Sequence, residues 1–249
     1  MLKILKKKNL DKALELCKLN ENSNDKSIIY NFIGVIHFMK KNLAEAENFF
    51  LKVIEIDDKF QDPIRNLCVI YAITKKFKEL LNYSTKLYYL DSKNPLNIFQ
   101  IASANELNKN YDEAIKYYEK YINTDGSDKK KGFNNIGNIY LRKGKQKTSI
   151  KYFSKALELD NNNKILINNI LLCYLSLRDE SKAEEFFKKA ETIDSNYIEF
   201  LHNKAEFLIL KNQLQEAEKI LENNKGITKF LITLIRLYFN SGQSDKGNE

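Results

Sequence analysis

One unit of 34 residues recurs along this chain, most legibly at 27–60, 61–94, 130–163 and 164–197. In each copy an aliphatic residue is followed by a residue that is mostly small, with a hydrophobic or aromatic residue three places later. A large apolar residue closes the second half of most copies. A period of this size is met by pairs of helices stacked into a solenoid. Each pair buries its apolar face on its neighbours rather than in one central core. The length alone, 249 residues, would suggest one or two globular domains, and the period overrides that expectation.

With Ser27 as position 1, positions 4, 7, 8 and 11 are Tyr30, Ile33, Gly34 and His37; in the copy from Lys130 they are Phe133, Ile136, Gly137 and Tyr140. That spacing is one face of an α-helix. A small residue at position 8 lets a second helix come close. Position 20 of that second helix is Ala46, Leu80, Ala114, Ser149, Ala183 and Ala217, and position 24 is Phe50, Ser84, Tyr118, Phe153, Phe187 and Leu221. Small against large in this order interlocks two antiparallel helices. Position 10, apolar from Ile36 to Leu237, lies off that face and is assigned to contacts between successive units. Asn42 with Glu45 and Asn110 with Glu113 read as capping boxes, and Asn94-Pro95 as a capped helix start.

Two prolines and eight glycines leave long helices uninterrupted. No apolar run reaches the length of a membrane span, and the start lacks the core of a signal peptide. A cytoplasmic protein is therefore expected. Cys17, Cys68 and Cys173 form no CxxC pair and occupy positions that are apolar elsewhere, so they read as buried reduced thiols. His37 and His202 have no ligand partner at helical spacing, and no metal or cofactor is expected. No phosphate loop, HExxH or nucleophile-base set stands out, so no enzyme is expected. The net charge of +8 carries little weight in a chain rich throughout in Lys, Asn, Ile and Tyr.

The pattern resembles the tetratricopeptide repeat family over nearly the whole chain. It is most specific in Ile136-Gly137-Asn138-Ile139-Tyr140, Gly144, Ser149, Phe153 and Ala156, and in Ala114-Ile115-Lys116-Tyr117-Tyr118. The resemblance implies an all-α, right-handed superhelical solenoid of antiparallel helix pairs. It would run through 1–249, with a partial first repeat at 1–26 and repeats at 27–60, 61–94, 95–129, 130–163, 164–197 and 198–227. A partial last repeat with a polar tail would follow at 228–249. The proline usual at position 32 is replaced by Asp58, Ser92, Gly126, Asn161 and Ser195, which predicts looser turns between units. The first copy reads as a stub of its first helix before Asn9-Leu10-Asp11-Lys12-Ala13-Leu14. The last dissolves into Ser241–Gly247 with no capping helix, leaving self-association through the ends open.

The inner wall of such a solenoid is lined by first-helix positions 2, 5, 6, 9, 12 and 13. Position 6 reads Phe32, Asn66, Gln100, Asn135, Asn169, Asn203 and Thr233. An amide offers both donor and acceptor, so five carboxamides in successive units form a ladder able to pair with any peptide backbone. The resemblance implies that use for Asn66, Gln100, Asn135, Asn169 and Asn203, with Asn138 beside them. Val69, Phe99 and Leu172 supply apolar rungs, as do Val35, Phe38, Leu141, Leu175 and Ile209 if they face the groove; the alternative is burial under a neighbouring helix. Some family members clamp a C-terminal carboxylate with Lys and Asn. Asn138 and Asn169 match two of those places, but Asn134, Glu199 and Asn203 stand where cations are required, so that activity is rejected.

The expected function is thus a protein-interaction scaffold holding a peptide segment of a protein partner. Wall charges nearly cancel, so no nucleic-acid channel is expected. The alternatives are an electrostatic binder of RNA or an acidic surface through outer lysines, and a docking segment of a larger assembly.

Overall fold

The computed structural model describes residues 2–20 and 23–240, and its coordinates fall into two compact units, Met1–Ser127 and Asp128–Glu249. The tail expected at 241–247 lies outside the described residues. Unit 1 holds α1 (Leu2–Leu19), α2 (Lys26–Met39), α3 (Leu43–Ile56), α4 (Gln61–Ile73), α5 (Phe77–Leu90), α6 (Pro95–Leu107) and α7 (Tyr111–Ile122). Unit 2 holds α8 (Lys129–Arg142), α9 (Gln146–Glu158), α10 (Lys164–Leu177), α11 (Glu180–Ile193), α12 (Ile198–Leu210), α13 (Leu214–Asn223) and α14 (Thr228–Asn240). Every regular element among the described residues is an α-helix, and none is long and apolar enough to cross a membrane.

Within each unit the helices pair as the repeat requires: α2 with α3, α4 with α5 and α6 with α7, then α8 with α9, α10 with α11 and α12 with α13. The pairing rests on the small-large exchange between positions 8 and 24. A Cβ on Gly34 would stand 2.6 Å from Cε1 of Phe50, and one on Gly137 would stand 2.6 Å from Cδ1 of Phe153. Where position 8 carries Cys68, position 24 shrinks to Ser84, and Sγ lies 3.5 Å from Oγ. Leu171 departs from the rule. Its partner in register, Phe187, stays half-buried and stacks on Phe207 of the next pair at 4.7 Å. Position 10 is buried from Ile36 through Leu237, and Ile70, Ala104, Cys173 and Phe207 sit in interiors shared by successive pairs within each unit, as their place off the pairing face predicts. One interior of unit 1 is built around Phe50, Ile64, Leu67, Ile70 and Leu87, and one of unit 2 around Phe153, Ile167, Ile170, Leu171 and Phe200.

The turn inside each pair is written in the backbone. Lys41, Lys75, Lys109, Gly144, Arg178 and Asn212, all at position 15, have φ between 55° and 66°. The next residue returns its N–H to the carbonyl of position 11, as Asn42 does to His37 and Lys145 to Tyr140, both at 2.9 Å. This left-handed closure satisfies carbonyls that the helix end would otherwise leave bare. For a lysine it costs roughly 1–2 kcal/mol more than for glycine.

Three local expectations are corrected. Asn42 and Asn110 do not cap α3 and α7 with their side chains. Their ψ angles of 73° and 63° fall short of the 86–118° at Asn94, Asp128, Asn163 and Asp179, whose side chains do accept from the first turn. Three of the five turns lacking proline are braced by an aspartate side chain. Asp57 accepts from the N–H of Lys59 at 3.0 Å, Asp91 from Lys93 at 3.1 Å and Asp194 from Asn196 at 3.2 Å. Such side-chain turns fix the backbone much as proline would. Finally, the expected stub before Asn9 runs unbroken into the rest of α1, because nothing between residues 2 and 19 breaks a helix.

Candidate functional site

The candidate wall in unit 2 is carried by α8, α10 and α12. Asn135 and Asn138 on α8, and Asn169 on α10, are each partly exposed. Several other asparagines are occupied by the fold. Asn97 donates to the Leu87 carbonyl at 3.0 Å, Asn105 to that of Ile101 at 2.9 Å and Asn108 to that of Phe77 at 2.6 Å. No hydrogen bond of this kind draws in the side chains of Asn135, Asn138 or Asn169 among the described residues. On the wall of unit 1, Asn66 of α4 and Gln100 of α6 are likewise partly exposed, and no side-chain hydrogen bond draws them in among the described residues.

Asn203 departs from the ladder. It is 3% exposed, and its Nδ2 donates to both the carbonyl and the Oδ1 of Asn168, at 3.1 and 2.9 Å. An asparagine at position 5 of the preceding repeat gives it a partner inside the fold, so its amide is spent there. The apolar rungs divide in the same way. Val69 is 43% exposed and Leu172 is half-buried. Phe99 is held between Tyr118 and Tyr121, ring centroids 5.5 and 5.2 Å away, and serves the α6–α7 pairing. Val35 and Phe38 pack on the unit 1 interior, and Leu141, Leu175 and Ile209 on interiors of unit 2.

Position 5 carries a feature that the ladder reading passed over. The Oδ1 atoms of Asn31 and Asn134 are buried without a hydrogen-bond partner among the described residues. A buried acceptor left unpaired costs about 1–3 kcal/mol, which a donor arriving at the wall would relieve. Asn134 borders an open cleft of about 200 Å³ lined also by Lys130, Lys131, Asn163, Ile165 and Leu166. The signal was present in sequence as asparagine at position 5 in three repeats, Asn31, Asn134 and Asn168.

Charges along the walls are paired as their near-cancellation predicts. Arg65 meets Asp62 at 3.1 Å, Lys229 meets Glu199 at 3.9 Å, and Arg236 meets Glu206. Lys130 reaches Asp160 at 2.9 Å; that hydrogen bond raises the lysine, while bonds from Asn163 and Lys130 hold the aspartate below the usual carboxylate range. Burial pushes the Cys68 and Cys173 thiols up to about 11, so neither presents a thiolate at neutral pH. Burial also lowers His37 and His202. Among the described residues no three His, Cys, Asp or Glu side chains converge as a metal site would require.

Models of the tetratricopeptide repeat match residues 131–163 and, in a second version, 28–60, 97–128 and 166–197. Together these stretches take in just over half of the chain, in the frame set by the position-8 glycines. The chain belongs to the tetratricopeptide repeat family. No curated protein matches it by sequence. Among solved structures, YrrB, described as a TPR protein with an unusual peptide-binding site, is similar with a TM-score of 0.61 at 18% identity, over 75% of this chain and 96% of its own. The C-terminal part of a TPR repeat-containing protein from Cytophaga hutchinsonii gives 0.72 at 18% identity, over 91% and 95%. PilW, described as a widely conserved type IV pilus biogenesis factor, gives 0.69 at 14%, over 86% and 100%. At these identities the likeness is one of fold.

Proposed function

We propose that this chain is a protein-interaction scaffold that holds a peptide segment of a protein partner along its first-helix walls. In this reading Asn135, Asn138 and Asn169 grip the backbone in unit 2, and Asn66 and Gln100 do so in unit 1. Asn134 accepts a further N–H beside Asn135. Val69 and Leu172 offer apolar contact next to the amides, and selectivity arises there. The observation that supports this most is the contrast among amides: Asn66, Gln100, Asn135, Asn138 and Asn169 are uncommitted among the described residues, whereas Asn97, Asn105, Asn108 and the wall's own Asn203 are consumed by the fold. The solved TPR structure described as peptide-binding adds support for the class of ligand.

An amide pairing with peptide backbone nets ~0.5–1.5 kcal/mol per bond, so a few of them give modest affinity independent of sequence. The test begins with binders selected from a random peptide library on the full chain. Asn135→Ala with Asn169→Ala should weaken those binders about tenfold in calorimetry, while the helical melt stays in place. Unchanged affinity would remove the amides from the account.

A further inference from the structure

The edge of unit 1 where each first helix ends carries two rows in register. Met39, Ile73 and Leu107, at position 13, are 60%, 56% and 40% exposed. Two residues on, at position 15, stand Lys41, Lys75 and Lys109, all exposed and all held at positive φ. At the equivalent turns of unit 2 the chain uses Gly144, Arg178 and Asn212, and position 13 there is Arg142, Ser176 and Leu210. The doublet of apolar residue and strained lysine therefore belongs to unit 1.

Neighbouring lysines sharpen the contrast. Lys40 pairs with Asp11, and Lys76 with Glu47 at 3.0 Å, each reaching back to the preceding second helix. Lys41, Lys75 and Lys109 make no ion pair among the described residues. Glycine or asparagine meets the left-handed turn with less strain, as Gly144 and Asn212 show. Strain kept at three exposed positions in a row points to use of those side chains rather than to the turn itself.

We propose that this edge docks an amphipathic helix of a protein partner that is acidic along one flank. Its apolar stripe covers Met39, Ile73 and Leu107, and its carboxylates meet Lys41, Lys75 and Lys109. Spacing fits a helix: α2 touches α4, and α4 and α6 both pack on α5; packed helices stand about 10 Å apart, and seven residues of an α-helix advance about 10.5 Å. One acid per heptad thus meets one lysine per repeat. A nucleic-acid backbone would use the lysines but leave the apolar row in water. Position 13 also borders the carboxamide wall, but the lysine row at position 15 lies beyond it, and the proposal does not depend on the amides.

Three synthetic three-heptad peptides, sharing a leucine stripe and flanked by Glu, Ser or Lys, test the proposal on the full chain. The Glu peptide should bind at least about tenfold tighter than the Lys peptide, with the preference shrinking as salt rises. Lys41→Gly, Lys75→Gly and Lys109→Gly combined should lose about tenfold for the Glu peptide while the melting temperature holds or rises. Absence of binding, equal binding of Glu and Lys peptides, or an unaffected triple variant would overturn it. So would lysine-dependent binding confined to phosphatidylserine vesicles, which would mark a membrane surface instead.

Discussion

At the residue scale, position 8 and position 24 are one decision made twice. A methyl on Gly137 would enter the ring of Phe153, which is fully buried and has nowhere to retreat. Gly137→Ala should destabilise the chain by about 1–3 kcal/mol in urea unfolding, and adding Phe153→Leu should recover part of the loss. Titration makes a second prediction at this scale. Burial lowers His202, so the unfolded chain takes up its proton first, and stability is complete above the unfolded value near 6.5 and falls below it. Glu185, held at about 2 by Lys189 and Lys182, adds stability above its unfolded value that is lost as the pH drops from there towards 2. His202→Gln should flatten the decline of melting temperature between neutral pH and pH 5 without touching the decline at lower pH. Single residues were legible in sequence where volume governs, as at Gly34 and Phe50. Asn203 was not, because its fate depends on Asn168, a residue 35 places earlier that only packing brings alongside.

Elements obey the repeat more strictly at their ends than composition suggests. The left-handed turn appears at position 15 whether the residue is glycine, asparagine, lysine or arginine, so pairing of the helices imposes it over local preference. Lys75→Gly should then raise stability by about 0.5–1 kcal/mol in denaturant melts, relief of strain being partly offset by a freer unfolded chain. No gain would mean that the turn is strained by something other than its side chain. Helix spans and pairing followed from periods of apolar residues. Caps followed only in part: Asn94 caps α6 as read, whereas Asn42 and Asn110 have the right residue type but the wrong ψ, a quantity that the preceding turn sets. The aspartate braces at Asp57, Asp91 and Asp194 were hidden for the opposite reason, since proline was the expected device and a side-chain turn does the same work.

Across the whole molecule, stability resides in neighbouring pairs, and each unit contains its own interior. Phe50→Ala, which removes a fully buried ring from unit 1, should cost about 3–5 kcal/mol there. Amide hydrogen exchange should show the loss in α2 to α5 while α9 to α12 keep their protection; uniform loss would contradict it. The central claim concerns amides left uncommitted on the first-helix walls. Side-chain NH₂ resonances of asparagine, followed by NMR while a selected peptide is added, test it most directly. The account predicts that the signals of Asn135, Asn138 and Asn169 shift with occupancy while those of Asn97, Asn105 and Asn203 stay where they are. Saturating peptide that leaves the first three unmoved, or that moves the buried three instead, would contradict it.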